Sequence, residues 1–211
     1  MKLFPQPVKE GEDAQRAFFV GKTRSGKTYA MLQAMKPFVG HTQVQILNSK
    51  NDRTLRNIPG AKYVYSLAEI NQYKFPEYPI VVYIPMGEEM NPKFLDKWCQ
   101  WIYERGNTLA FVDEITQVAE GTRPGQGFIN LYTRGAARGI TVFGGNQRPR
   151  NLPKICETES EHFYVFRLKS EEDRKHVAQF THPAVIRPVT DKHGFFYYPD
   201  GDDKVYYVKS L

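Results

Sequence analysis

Apolar residues gather along the chain in short runs divided by polar stretches rich in glycine and proline. Seven runs have the length and the β-branched or aromatic content of strands: RAFFV (16–20), TQVQILNSK (42–50), KYVYS (62–66), PIVVYIPM (79–86), TLAFVDE (108–114), ITVFGGNQ (140–147) and HFYVFRL (162–168). Helical patterns fill most of the gaps. TYAMLQAM (28–35) leaves the first strand as a helix, LAEINQY (67–73) forms one or two turns, another helix lies around 127–138, and SEEDRKHVAQF (170–180) gives a last one. NPKFLDKWCQWIYERGN (91–107) carries its own punctuation, with Asn91 as cap, Pro92 at the first helical position and Gly106 as the stop. Such alternation predicts an α/β fold, a mainly parallel sheet sandwiched by helices with ligands at the carboxyl ends of its strands.

The pattern changes near the end. GFFYY (194–198) and KVYYV (204–208) flank the turn-rich PDGDD, which reads as a β-hairpin. The chain therefore divides into a body over 1–182 and a C-terminal hairpin extension of the same domain over 183–211. The hairpin's aromatics either pack on the core or form a platform for a subunit or partner.

Composition narrows the class. A chain of 211 residues suits one domain, and 41% hydrophobic and 25% charged residues are globular values. No window approaches the roughly 18 apolar residues of a membrane span, so no transmembrane segment is expected. The opening MKLFPQPVKEGEDAQ has a proline where an export signal needs its apolar centre, so the protein is expected not to be secreted. Cys99 and Cys156 lie far apart without metal-ligand spacing and are expected as free buried thiols. Lysine and arginine outnumber aspartate and glutamate by 29 to 23, a net charge of +6 that favours a polyanionic partner. SKNDRTLRN (49–57) and NQRPRNLPK (146–154) each place three basic residues in an expected loop, either to meet phosphates or as a solvated face.

Between the first strand and the first helix, GKTRSGKT (21–28) has the spacing G-x-x-x-x-G-K-[ST]. In such a loop the backbone amides of Gly21, Lys22, Thr23, Arg24, Ser25, Gly26, Lys27 and Thr28 cradle phosphate oxygens. Lys27 adds a point charge for the terminal phosphates, Thr28 a hydroxyl for Mg2+, and the following helix its positive dipole end. About 85 residues on, Asp113 and Glu114 end an apolar strand. Neighbouring strand residues point to opposite sides, so Asp113 faces the metal while Glu114 reaches the attacking water. A third cluster lies at 134–149: Arg134 and Arg138, four apart and on one helix face, lead into a strand tipped by Gln147, an amide suited to sensing the γ-phosphate. Either arginine could also simply compensate a helix end.

The loop at 21–28, FVDE at 111–114 and RGITVFGGNQRP at 138–149 together resemble the FtsK/HerA superfamily of DNA-pumping ATPases, over roughly residues 14–180. VQILNSK (44–50) sits where that superfamily carries a strand ending near Asp-Pro-Lys. Asn48 and Ser49 replace the first two of those residues here, which leaves Lys50 without a settled role. The resemblance implies a RecA-like P-loop NTPase fold of the additional-strand type, ATP and Mg2+, and a homo-oligomeric ring, hexamer or pentamer. Nucleotide would sit at each interface, where a neighbour's arginine is worth about a thousandfold in rate. Arg138 stands at the motif position and Arg134 is its rival. In size the chain resembles the genome-packaging ATPases of tailless viruses with an internal membrane. That implies a translocase of double-stranded DNA, located in the host cytoplasm or on the virion and docked on a capsid or vertex protein, with loops 49–57 and 121–127 toward the DNA. Two other classes compete. One is the zonula-occludens-toxin-like phage assembly ATPases, acting on single-stranded DNA; the other is the small-molecule kinases, against which Glu114 and Gln147 favour attack by water.

Overall fold

The structure is a computed structural model that describes residues 3–8, 12–150 and 152–211. Part of the opening segment and Asn151 of the second basic loop therefore lie outside the described residues. Among the described residues nine strands build a single sheet: β1 (Arg16–Val20), β2 (Gln43–Leu47), β3 (Lys62–Val64), β4 (Ile80–Tyr83), β5 (Thr108–Val112), β6 (Thr141–Asn146), β7 (His162–Phe166), β8 (Phe195–Pro199) and β9 (Tyr206–Val208). Their spatial order is β3-β4-β2-β5-β6-β1-β7-β8-β9. Strands β1 to β7 pair in parallel, and β8 and β9 join antiparallel. Strand β6 lies between β1 and β5, which is the additional-strand order expected from the sequence.

The helices are α1 (Lys27–Met35), α2 (Leu67–Ile70), α3 (Pro92–Arg105), α4 (Ile115–Val118), α5 (Gln126–Arg134), α6 (Ile155–Thr158) and α7 (Glu171–Ala178). Two apolar cores separate across the sheet because successive strand residues point to opposite faces. Phe18 and Val20 of β1, with Ala110 and Val112 of β5, meet Trp98, Cys99, Phe128 and Tyr132 of α3 and α5 on one face. Ala17, Phe19, Leu109 and Phe111 meet Ala30, Met31, Ala34 and Met35 of α1 on the other. Burial of both faces is what makes the strand segments apolar throughout. Cys99 and Cys156 are both free and buried.

Helix ends follow the local chemistry. The Asn91 side chain accepts from the Lys93 amide at 2.9 Å, Pro92 opens α3, and Gly106 closes it. Ser170 caps α7 through the Asp173 amide at 3.1 Å, with acidic residues in its first turn. The N-terminus of α5 is capped from another element, the Asp96 carboxylate of α3 accepting from Gly127 and Phe128 at 3.0 and 2.7 Å.

The expected helix over 127–138 is shorter than the pattern implied. Helix α5 stops at Arg134; residues 136–138 form a 3-10 turn and Gly139 takes a left-handed φ of 71°, closing the turn into β6. The Ile140 amide donates back to the Gly135 carbonyl at 3.0 Å. Arg134 and Arg138 are thus not on one face of a continuous α-helix.

The hairpin is not an appendage. Strand β8 pairs with β7, Phe163 opposite Tyr198 and Val165 opposite Phe196, so β8 and β9 extend the central sheet. Tyr164 stacks on Phe19 and Tyr197 at ring distances of 4.3 and 5.0 Å, and Phe195, Phe196 and Tyr197 are buried. Of the two readings of these aromatics, core packing is the one observed for these three.

Candidate active site

The carboxyl ends of β1, β5, β6 and β2 converge on a cleft of about 630 Å³ lined by the phosphate loop, Lys50, Arg53, Asp113, Glu114 and Gln147. Its floor is the turn from β1 into α1. Gly26 holds a φ of 100°, a backbone position that side chains rarely adopt, and it ends the loop just where α1 begins. The first amides of a helix have no partner within it, so the N–H groups of Gly26, Lys27 and Thr28, residues that line the cleft, are left available as donors. Lys22, Thr23 and Arg24 form the exposed rim, and Arg24 has a positive φ of 63°. Ser25 is buried, and its hydroxyl has no hydrogen-bond partner among the described residues. A buried donor left in that state at the base of a phosphate loop fits an anion's oxygen.

Lys27 and Asp113 are both buried and meet across the sheet top. The Lys27 ammonium donates to the Asp113 carbonyl at 2.9 Å and lies 3.2 Å from Oδ1; the Thr28 hydroxyl donates to the same Oδ1 at 2.9 Å. The close approach depends on Gly145 of β6. A Cβ there would stand 2.6 Å from the Asp113 carbonyl oxygen and 3.0 Å from Lys27 Nζ. Strand parity explains the rest: Leu109 and Phe111 face α1, so Asp113 does too and reaches Thr28 and Lys27.

Two adjacent hard oxygens, the Thr28 hydroxyl and the Asp113 carboxylate, suit Mg2+, which takes few protein ligands and completes its shell with phosphate and water. Among the described residues no group of three or more His, Cys, Asp or Glu side chains gathers to hold a metal, so an all-protein cage is not what this site offers.

Glu114 turns the other way, with only 4% of its side chain exposed. Its Oε1 accepts from Thr116 Oγ1 at 3.0 Å and from the backbone N–H of Gln147 at 3.3 Å, while Oε2 pairs with Lys50 Nζ at 2.9 Å. Asn146 braces the group by accepting from the Thr116 amide at 3.2 Å. Strand order thus brings Glu114 and Gln147 together, as the sequence motifs require, and adds Lys50, to which they assign no settled role. The signal for Lys50 lies in topology: β2 runs beside β5 in parallel register, Leu47 opposite Val112, so residues just past both strands must be neighbours.

The first basic loop lines this cleft through Lys50, Asp52, Arg53 and Thr54. The second reaches it only through its first residues, its arginines being engaged elsewhere, with Arg148 3.8 Å from Asp173 and Arg150 3.3 Å from Glu172. A second cavity of about 430 Å³ continues from the phosphate loop, lined by Gly26, Tyr29, Phe166, His193, Ser210 and Leu211. Arg134 and Arg138 lie at the opposite end of β6 from Gln147. Arg138 donates to the carbonyls of Tyr103 and Glu104 at 2.7 and 2.8 Å and covers the Tyr103 ring, which binds it to the C-terminal end of α3. Arg134 is exposed, with no ion pair among the described residues.

Sheet order, phosphate loop and divided acidic pair define a P-loop nucleoside triphosphatase. The chain is homologous to viral DNA-packaging ATPases: the DNA packaging ATPase P9 of Enterobacteria phage PRD1 is 27% identical over 176 residues, covering 82% of this chain and 73% of that protein. This agrees with the FtsK/HerA character of the motifs. The genome packaging NTPase B204 of Sulfolobus turreted icosahedral virus 2, solved with ATP-gammaS, shares the fold at a TM-score of 0.73 and 15% identity, over 94% of this chain and 98% of that one. The N-terminal domain of zonular occludens toxin from Neisseria meningitidis fits less closely, with a TM-score of 0.52 and 14% identity over 93% of each chain. No protein-family model matches. No helix among the described residues is long and apolar enough to cross a membrane.

Proposed function

We propose that this protein is the ATPase of a viral genome-packaging motor, hydrolysing ATP to ADP and phosphate to translocate double-stranded DNA. The observation that carries the reading is a cleft gathering Lys27, Thr28, Asp113, Glu114 and Gln147 in a chain homologous over 82% of its length to a packaging ATPase. The amides of Gly21, Lys22 and Ser25 are taken by the carbonyls of Asn146, Arg167 and Lys22, so the amides of Gly26, Lys27 and Thr28 with the Lys27 ammonium bind the β- and γ-phosphates, and the cavity beside Tyr29 and His193 takes the base. Glu114 orients and deprotonates the attacking water, and the Gln147 side chain, placed beside Glu114 by its backbone N–H, reports loss of the γ-phosphate to the following loop. Thr28 and Asp113 would hold Mg2+, which when bound offsets phosphate charge.

The homo-oligomeric ring, pentamer or hexamer, belongs to this proposal, as does a neighbour's arginine. Arg134, exposed and without an ion pair among the described residues, is freer to reach across an interface than Arg138, which is bound to α3. The capsid or vertex partner and a location on the virion or in the host cytoplasm follow from the packaging role.

DNA contacts of such a motor go mainly to backbone phosphates, so they weaken steeply with salt. Turnover by the assembled protein should rise severalfold with duplex DNA and lose that stimulation as salt is raised. Indifference to duplex DNA would sink the packaging reading, and stimulation by single strands alone would favour the zonular-occludens-type alternative.

A further inference from the structure

The C-terminal hairpin reaches the phosphate loop. Strand β8 runs antiparallel to β7, so it begins beside the carboxyl end of β7, with Phe195 opposite Phe166. That end of β7 already holds the loop: the Lys22 amide donates to the Arg167 carbonyl at 3.0 Å, and a Cβ on Gly21 would collide with that of Phe166. The residues just before β8 must therefore lie next to the loop as well, and they form a built turn. The Gly194 amide donates to the Asp191 carbonyl at 3.3 Å, and the Tyr207 hydroxyl of β9 donates to the Asp191 carboxylate at 2.6 Å. Gly194 lies so close to that hydroxyl that a Cβ would stand 2.8 Å from it. The clamped turn sets His193 over Gly26, where a Cβ would stand 3.2 Å from His193 Nδ1. His193 is exposed, and it lines both the phosphate cleft and the cavity beside Tyr29. Among the described residues its ring has no hydrogen-bond or ion-pair partner.

We infer that His193 is a nucleotide-binding residue whose imidazole N–H donates to the α-phosphate, and that the hairpin, through Tyr207 and Asp191, holds it there. This rests on the proposed placement of the β- and γ-phosphates on the loop and of the base in the second cavity. The α-phosphate separates those two parts of the nucleotide, and His193 stands where the two cavities meet, against the first residue before α1. A hydrogen bond to a charged oxygen is worth about tenfold or more in affinity. Tyr207 acts through the turn and is a positioning residue.

Calorimetry with ATP and with pyrophosphate, both with Mg2+, tests this, because pyrophosphate fills the loop without an α-phosphate. His193→Ala should bind ATP about tenfold more weakly than the wild type and pyrophosphate equally well. His193→Gln, which keeps an N–H donor, should recover most of the ATP affinity. Tyr207→Phe, which keeps the ring and removes the clamp, should weaken ATP about threefold and leave pyrophosphate unchanged. Equal losses for both ligands in His193→Ala would show that the ring only props the phosphate loop, and no loss for either would also overturn the inference. A smaller loss for 2′-deoxy-ATP than for ATP would move the contact to the ribose and overturn the α-phosphate assignment. ATP affinity unchanged in Tyr207→Phe would remove the hairpin's part. These affinities are read without DNA, so a turnover indifferent to duplex would sink the packaging reading and leave this inference standing.

Discussion

The two ends of β6 differ in kind. At its carboxyl end, Asn146 and Gln147 join the phosphate loop, the acidic pair and Lys50 in one cleft. At its amino end, Arg134 and Arg138 face no phosphate-binding group of their own subunit, and neighbouring contacts are structural. Arg16 pairs with Glu161 there, and His162 Nδ1 meets the Tyr197 hydroxyl at 2.9 Å. A triphosphate held at one end finds no arginine from the other within the same chain. The difference teaches that, if Arg134 or Arg138 completes such a site, it must be the site of a second copy, since Arg24 and Arg53 are the arginines this chain brings to its own cleft.

That contrast can be broken most strongly through the arginines. Arg134→Ala should lower turnover about a thousandfold, and mixing it with inactive Lys27→Ala subunits should recover part of the activity. No recovery at any ratio with assemblies intact would remove the arginine from the neighbour's site, and the same mixing with Arg138→Ala tells which arginine acts. At the carboxyl end, Glu114→Gln should cost about a hundredfold or more in kcat, read in single-turnover hydrolysis, while binding of a fluorescent ATP analogue persists. Loss of binding instead would reassign the residue to nucleotide affinity.

His162 sharpens the comparison from the other side, because it tests stability rather than rate. Burial lowers its pKa to about 4, below the unfolded value of about 6.5. The unfolded chain therefore binds a proton that the folded chain refuses between those values. This contribution is fully present above pH 6.5 and is lost as pH falls toward 4, by up to roughly 3 kcal/mol. Denaturant midpoints of the wild type and His162→Gln across this window should show a shallower pH slope in the variant, and equal slopes would show that His162 is not the titrating group.

Much of this was legible in the chain itself, wherever the determinants are close in sequence. The phosphate loop is contiguous, the opposite directions of Asp113 and Glu114 follow from strand parity, and Asn91, Pro92 and Gly106 mark α3 to within a residue. What escaped depends on distant neighbours. Lys50 meets Glu114 only because β2 lies beside β5. The break after Arg134 was hidden because the alanines at 136 and 137 favour continued helix, whereas the entry into β6 demands a turn at Gly139. Arg138 resembled a partner for a neighbouring site, yet within the subunit it is tied to carbonyls of α3, more than thirty residues earlier in the chain.

The bare α-carbon at position 145 limits how this sheet can be rebuilt. Most central strands of such a sheet can exchange one bulky aliphatic for another, but here the Asp113 carbonyl stands where any side chain would begin. Stabilising redesign by enriching the strands in valine or isoleucine must therefore leave this position alone, because the Lys27 ammonium, the charge proposed to grip the triphosphate, lies directly over it.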